Sequence, residues 1–180
     1  IPNRTGKEFF RGEDYAEPEI SLQYAKLFPH DVNYVMGQSD FRKDWFFQHV
    51  PHNEDGNARV VPFSGVRGNG RATPFAVTFD LPEAPRGTAI LRLGICGTSA
   101  RAIEVSVNDQ RIGQIDRLIA DGAIPRHSIQ GIWYEREVRF DATQLKRGTN
   151  VLKLIVPAGP INNGVIYDYL RLELDETKGD

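Results

Sequence analysis

The 180-residue chain has a single cysteine, Cys96, so no disulfide forms within it, and this count leaves its compartment undecided. It has no apolar run approaching the roughly 20 residues that a bilayer-spanning helix needs, and no signal peptide is visible at its start. A membrane is therefore not among the expected partners. Charge of one sign is also scarce. The formal net charge is -2, so no bulk electrostatic attraction draws the chain to nucleic acid. No initiator methionine opens the sequence, and the chain reads as a fragment or a processed product.

Catalytic signatures are equally thin. No Gly-x-Ser-x-Gly elbow occurs, and Cys96 sits in an apolar stretch as a small core residue. The glycine-rich "GVRGNGRA" lacks the Lys-Ser/Thr ending and the strand-to-helix setting of a phosphate loop. "HVPHNED" places His49 and His52 three apart with Glu54 and Asp55 following, but Pro51 interrupts the spacing and no helix carries the pair. A polar surface loop is the simpler reading. His30 and His127 stand alone. β-Elimination chemistry needs a base and cations around an enolate-like intermediate. Lys7, His127, Tyr134 and Arg136 are the residues from which it would have to be built, and nothing in their spacing requires it. The chain is expected to be non-catalytic.

What is abundant is turn formers and alternation. Hydrophobic residues make up 40% and charged residues 26%, and there are 17 glycines and 11 prolines, which suits an all-β fold. Residues 1–72 are irregular and rich in aromatics, with one short helix predicted over 19–27, closed by Pro29. This segment is expected either to wrap the sandwich or to present Phe9, Phe10, Trp45, Phe46 and Phe47 as an interdomain surface. Residues 73–175 are expected to hold the main strands of a single domain covering 1–180. Phe75, Val77, Phe79 and Leu81 form one alternating row, and Ala89, Leu91, Leu93 and Ile95 the next. Ile103, Val105 and Val107 run into an "NDQ" turn answered by "RIGQI"; Ile132, Tyr134, Arg136, Val138 and Phe140 alternate, and so do Leu152, Leu154 and Val156. The pattern predicts two packed antiparallel sheets, a jelly-roll β-sandwich.

The last strand, "GVIYDYLRLELD", raises a question. Strict alternation puts Ile166, Asp168, Leu170, Leu172 and Leu174 on one face, so that Asp168 is a charge in an apolar row.

Aromatic and amide side chains cluster where a glycan surface would need them. Sugar rings lay their C–H faces on aromatic rings, amides and carboxylates take the hydroxyls, and arginine grips a uronate carboxylate. "GIWYEREVRF" supplies Trp133, Tyr134 and Arg136; "PINNGVIYDY" supplies Asn162, Asn163 and Tyr167. These six are the candidate carbohydrate contacts, for a uronic-acid-containing glycan. Packing roles for the aromatics and turn roles for the asparagines are the alternative.

Four segments in order, "IPNRTGKEFFRGEDY", "DVNYVMGQSDFRKDWFFQHV", "GIWYEREVRF" and "GVIYDYLRLEL", make the sequence resemble the C-terminal part of rhamnogalacturonan lyases of polysaccharide lyase family four. The resemblance implies a jelly-roll domain similar to carbohydrate-binding modules, of the galactose-binding-like kind. In the family this domain follows a catalytic sandwich whose lysine and histidine are not in this chain. It implies a pectic polysaccharide such as rhamnogalacturonan and the other domains of a parent lyase as partners, and an extracellular or periplasmic location. No cofactor is implied as a requirement. Asp168 matches an aspartate that helps to hold a structural calcium in calcium-containing carbohydrate-binding jelly rolls, with Gln38, Asp40 or Asp44 as companions. The alternative is a buried Asp168 paired with an arginine such as Arg42, or bonded to backbone amides.

Overall fold

The computed structural model describes residues 20–53, 59–61, 65–124 and 131–174. The alternating rows predicted from residue 73 onward form strands, except that the row from Ile132 becomes a strand only at Tyr134, leaving Ile132 exposed ahead of it. β5 (Thr73–Leu81), β10 (Gly148–Val156), β7 (Ile103–Val107) and β8 (Gln110–Ile115) lie in one sheet, with β1 (Val32–Val35) on its edge, in the order β1-β5-β10-β7-β8. β12 (Val165–Leu174), β6 (Thr88–Thr98) and β9 (Tyr134–Asp141) form a three-stranded antiparallel sheet with β6 in the centre. β2 (Arg59–Val61) pairs with β3 (Gly65–Arg67), and β4 (Asn69–Gly70) with β11 (Gly159–Pro160).

The inward rows of the two larger sheets meet in the main core. Ala89, Leu91, Leu93 and Ile95 of β6 pack with Val105, Val107, Val138, Phe140, Leu152 and Leu154, all buried. Each aliphatic side chain of this size contributes about 1.5–3 kcal/mol by leaving water. The result is an all-β sandwich of the expected class. Among the described residues its one departure from antiparallel pairing is β1, which runs parallel to β5. β1 comes from the irregular N-terminal region and reaches the sheet edge independently of the hairpins, so no tight turn dictates its direction.

The described part of that region adds a second core. Helix α1 (Ile20–Leu27) ends where Pro29 disfavours helical geometry at Phe28. Its Tyr24 packs against Phe28, Phe46 and Phe75. Phe46, Phe47, Val50, Val32 and Ile166 complete the cluster. A second helical turn, α2 (Phe41–Asp44), is absent from the sequence reading; Asp40 caps it by accepting from the Arg42 amide at 3.0 Å. Phe46 and Phe47 therefore belong to the interior, and Trp45 is half-buried. Phe9 and Phe10 lie outside the described residues.

Turns are held by side chains as well as by backbone. Asn150 is fully buried; its amide donates to the Lys146 and Gly148 carbonyls, and its oxygen accepts from the Lys146 amide and from Asn108 Nδ2. Asn108 in turn donates to the Gln144 carbonyl and accepts from the Val151 amide. This knot joins the β7–β8 turn to the loop before β10.

A candidate glycan-binding groove beside a bulge in the last strand

The Asp168 question is resolved by register. β12 pairs with β6 so that Tyr167 opposes Ile95 while Tyr169 opposes Gly94, and Asp168 is the extra residue of a β-bulge. The bulge shifts the alternation by one. Below it, Leu170, Leu172 and Leu174 oppose Leu93, Leu91 and Ala89 and face the main core. Above it, Tyr167 turns inward. Asp168 is left exposed on the outer face, so it does not share the leucines' row.

Its partner there is Trp133. The indole Nε1–H donates to Asp168 Oδ2 at 3.0 Å, reaching across the central strand from the start of β9 to β12. Glycine makes that crossing passable. A Cβ at Gly94 would lie 2.6 Å from the Tyr169 ring and 3.4 Å from Asp168 Cβ, so the ring lies directly on bare backbone. Gly131 approaches the Cys96 carbonyl so closely that a Cβ would stand 1.9 Å from its oxygen. Asp121 secures the same segment: Oδ1 accepts from the Thr98 and Ala123 amides, and Oδ2 accepts from the Ile132 amide at 2.8 Å. Trp133 itself stays 55% exposed.

Along β12, a groove of about 490 Å³ opens between the bulge and the residues that lead into and out of α2. Tyr34, Met36, Phe41, Trp45, Tyr167 and Tyr169 line it, with Asp168 as its charged group. Met36 and Phe41 are 60% and 54% exposed, so their apolar surface is open to a ligand. The volume falls in the range of small-ligand sites, about 300–1,000 Å³.

Two of the tyrosines have their hydroxyls committed. Tyr167 Oη lies 2.9 Å from His49 Nδ1, and His49 Nε2 lies 2.7 Å from the Thr73 carbonyl oxygen. A carbonyl only accepts, so Nε2 carries the proton and Nδ1 accepts from Tyr167. Burial pushes the His49 value down to about 3 and raises the Tyr167 phenol well above its ordinary range. His49 is stacked on Phe75 and paired through its backbone with Val165. On the outer face, Tyr169 donates to Glu135, and that bond raises its phenol.

The other expected contacts are distributed differently. Tyr134 is buried, its ring in the main core and its oxygen accepting from the Ile119 amide at 3.0 Å. Arg136 lies over the Tyr134 ring at 4.6 Å and donates to the Glu135 and Arg117 carbonyls. Strand period separates these two, on the inward row, from Trp133 and its outer-face partner. Asn162 and Asn163 form the turn before β12: Ser99 Oγ donates to the Asn162 carbonyl at 2.5 Å, and the Asn163 amide donates to the Pro160 carbonyl. Of the six, Tyr167 lines the groove and Trp133 flanks it through Asp168. The aromatic string in "NYVMGQSDFRKDW" was the available signal for the residues that sequence reasoning missed.

Three of the four oxygen donors named for calcium have partners within the chain. Asp40 caps α2, Asp44 Oδ2 accepts from the Asp40 amide at 2.8 Å, and Asp168 holds Trp133 rather than Arg42. Among the described residues no group of three His, Cys, Asp or Glu side chains is placed to hold a metal ion. His49 and His52 serve backbone carbonyls, of Thr73 and Phe28. Glu54, Asp55, Lys7 and His127 lie outside the described residues.

Comparison with known proteins gives one family. The profile described as "CBM-like: Polysaccharide lyase family 4, domain III" matches residues 1–172. No curated protein matches the sequence significantly. Similar solved structures include a family 35 carbohydrate binding module from an environmental isolate, 22% identical, with a TM-score of 0.39 over 70% of this chain and 82% of that one. The family 35 module from Clostridium thermocellum is 18% identical, with a TM-score of 0.39 over 64% and 85%. The CBM36-1 domain of a multidomain xylanase from the hindgut metagenome of Trinervitermes trinervoides is 15% identical, with a TM-score of 0.41 over 71% and 94%.

Proposed function

The chain belongs to the family of carbohydrate-binding-module-like third domains of polysaccharide lyase family 4, and from that premise we propose that it is a non-catalytic domain that binds rhamnogalacturonan or a related pectic polysaccharide. In this reading it holds the polymer near the catalytic part of a parent lyase and raises the local substrate concentration, outside the cell or in the periplasm. The observation that carries it is the groove beside the β12 bulge, where open aromatic surface meets a carboxylate. Aromatic faces take the C–H faces of a sugar ring, and Asp168 accepts from its hydroxyls. Of the four residues from which an eliminating site would be built, the two among the described residues have other roles. Tyr134 is buried with its phenol raised, chiefly by desolvation, and Arg136 is spent on carbonyls.

Isothermal titration calorimetry of the chain with rhamnogalacturonan oligosaccharides tests this, with homogalacturonan and neutral oligosaccharides as controls. Saturable heat with rhamnogalacturonan is expected. Silence across all ligands from a folded sample overturns the reading and favours a domain that docks on its neighbours and stabilises the parent lyase. The apolar surface of Leu27, Met36 and Phe41, each more than half exposed, is what such docking would use.

A further inference from the structure

We propose that the outer edge of β12 is a self-association surface, on which a second copy of this chain lays its own β12 in antiparallel register about Leu172.

Among the described residues, β12 has β6 on one side and no strand on the other. The remaining edges differ. β9 lies against β8, where a Cβ at Gly113 would stand 2.8 Å from Val138, and β1 is four residues long. From Tyr169 to Leu174, β12 pairs with β6 without irregularity. That stretch holds no proline, no lysine and no bulge, the devices that commonly close an edge to pairing.

The apolar flank beneath this edge is incompletely covered. Leu170, Leu172 and Leu174 pack on the main core yet stay half-buried, and so do Val77, Phe79 and Leu81 of β5. β1 pairs with β5 only as far as Thr78. A second β12 at this edge satisfies its backbone groups and takes the leucine row further out of water.

Charge selects the register. A two-fold pairing keeps the leucines on the core side when its axis lies level with a residue. Level with Arg171 or with Glu173, it sets like charges face to face. Level with Leu172, it sets Arg171 of each copy opposite Glu173 of the other, Leu170 opposite Leu174, and Leu172 opposite its own counterpart. Within one chain Arg171 Nη2 already donates to Glu173 Oε1, so the four charges alternate around a square. Arg92 holds the same carboxylate at 2.9 Å, while the Arg171 side chain is 61% exposed and can reach across. Asp168, with its bond to Trp133, lies beyond the paired stretch.

Sedimentation equilibrium of the 180-residue chain, from low micromolar to near-millimolar concentration, tests this. A reversible dimer is expected. Arg171→Glu and Glu173→Arg, each alone, set like charges across the axis and are expected to weaken the dimer at least about tenfold. An equimolar mixture of these two variants restores opposite charges between unlike copies, and the double variant Arg171→Glu/Glu173→Arg restores them between like copies. Both are expected to associate within a few-fold of the parent. Unfolding of a single variant could not be rescued in this way, and far-ultraviolet circular dichroism of the double variant checks its fold. A parent that stays monomeric throughout overturns the inference and leaves the edge to another part of the chain or to a neighbouring domain. A dimer indifferent to both single variants, or a folded double variant that stays monomeric, overturns it by placing the interface elsewhere.

Discussion

The indole N–H of Trp133 and the carboxylate of Asp168 are joined at 3.0 Å across the central strand of the three-stranded sheet. Trp133 enters this bond from the loop ahead of β9, and Asp168 from a bulge in β12, so neither local segment specifies it alone. The bond turns the exposed face of the indole into a fixed platform next to the groove.

Trp133 and Tyr134, though adjacent, are expected to respond differently to truncation. Trp133→Ala removes an exposed ring and should leave thermal stability within about 1 kcal/mol of the parent while glycan retention in affinity electrophoresis falls severalfold. Tyr134→Ala opens a core cavity and should cost about 3–5 kcal/mol in denaturant unfolding. Equal destabilisation by the two changes would contradict the placement of Trp133 on the outer face.

Gly131→Ala tests how the platform is held. Its Cβ would fall 1.9 Å from the Cys96 oxygen, a backbone atom that cannot rotate away. The loop must move, and Trp133 with it. Tryptophan fluorescence should change and retention of rhamnogalacturonan should weaken, while far-ultraviolet circular dichroism stays that of the parent. An unchanged indole environment would show that the loop is not fixed by this contact.

Protonation of His49 should make the fold acid-sensitive. Its folded value is about 3 against an ordinary 6.5, mainly through desolvation. The unfolded chain takes up a proton near 6.5 and the native state does not, so the contribution of the neutral ring is complete above that value. It is lost as pH falls toward about 3, at up to about 1.4 kcal/mol per unit. Unfolding midpoints measured from about pH 7 down to about pH 4.5 should fall accordingly, and His49→Gln should start lower but slope less. Parallel slopes for the two proteins would rule His49 out as the source.

Asn150 is expected to matter far from the groove. Asn150→Ala removes the partner of the Lys146 and Gly148 carbonyls and of the Lys146 amide, and one of the two acceptors of Asn108 Nδ2. A loss of about 3 kcal/mol in chemical denaturation follows, with glycan affinity unchanged in the folded fraction. A loss under about 0.5 kcal/mol would mean that water replaces all four bonds.

Much of the architecture was legible because its signal is local. Ala89, Leu91, Leu93 and Ile95 alternate in the chain and alternate in the sheet, and α1 ends at Leu27, the predicted boundary ahead of Pro29. The helical turn at Phe41–Asp44 was missed because one turn has too few residues to show a period. Whether Phe46 and Phe47 form a surface or complete the core stays open in the sequence, because their partners, Tyr24, Phe75 and Ile166, come from three separate stretches.

Residue types and their spacing determined that this protein is built of short two-faced strands and packs them into a sandwich, while its likeness to a family of carbohydrate-binding-module-like domains runs over residues 1–172 of the sequence. Period-two alternation is a property of neighbours along the chain, and burying one face of each strand leaves few architectures open. The site was decided by tertiary structure. A bulge is a mismatch between two strands, invisible in either one, and it moved Asp168 from the leucine row to the outer face and turned Tyr167 inward toward His49. The groove then arose where that strand meets Tyr34, Phe41 and Trp45, brought in by a segment with no periodicity to announce it.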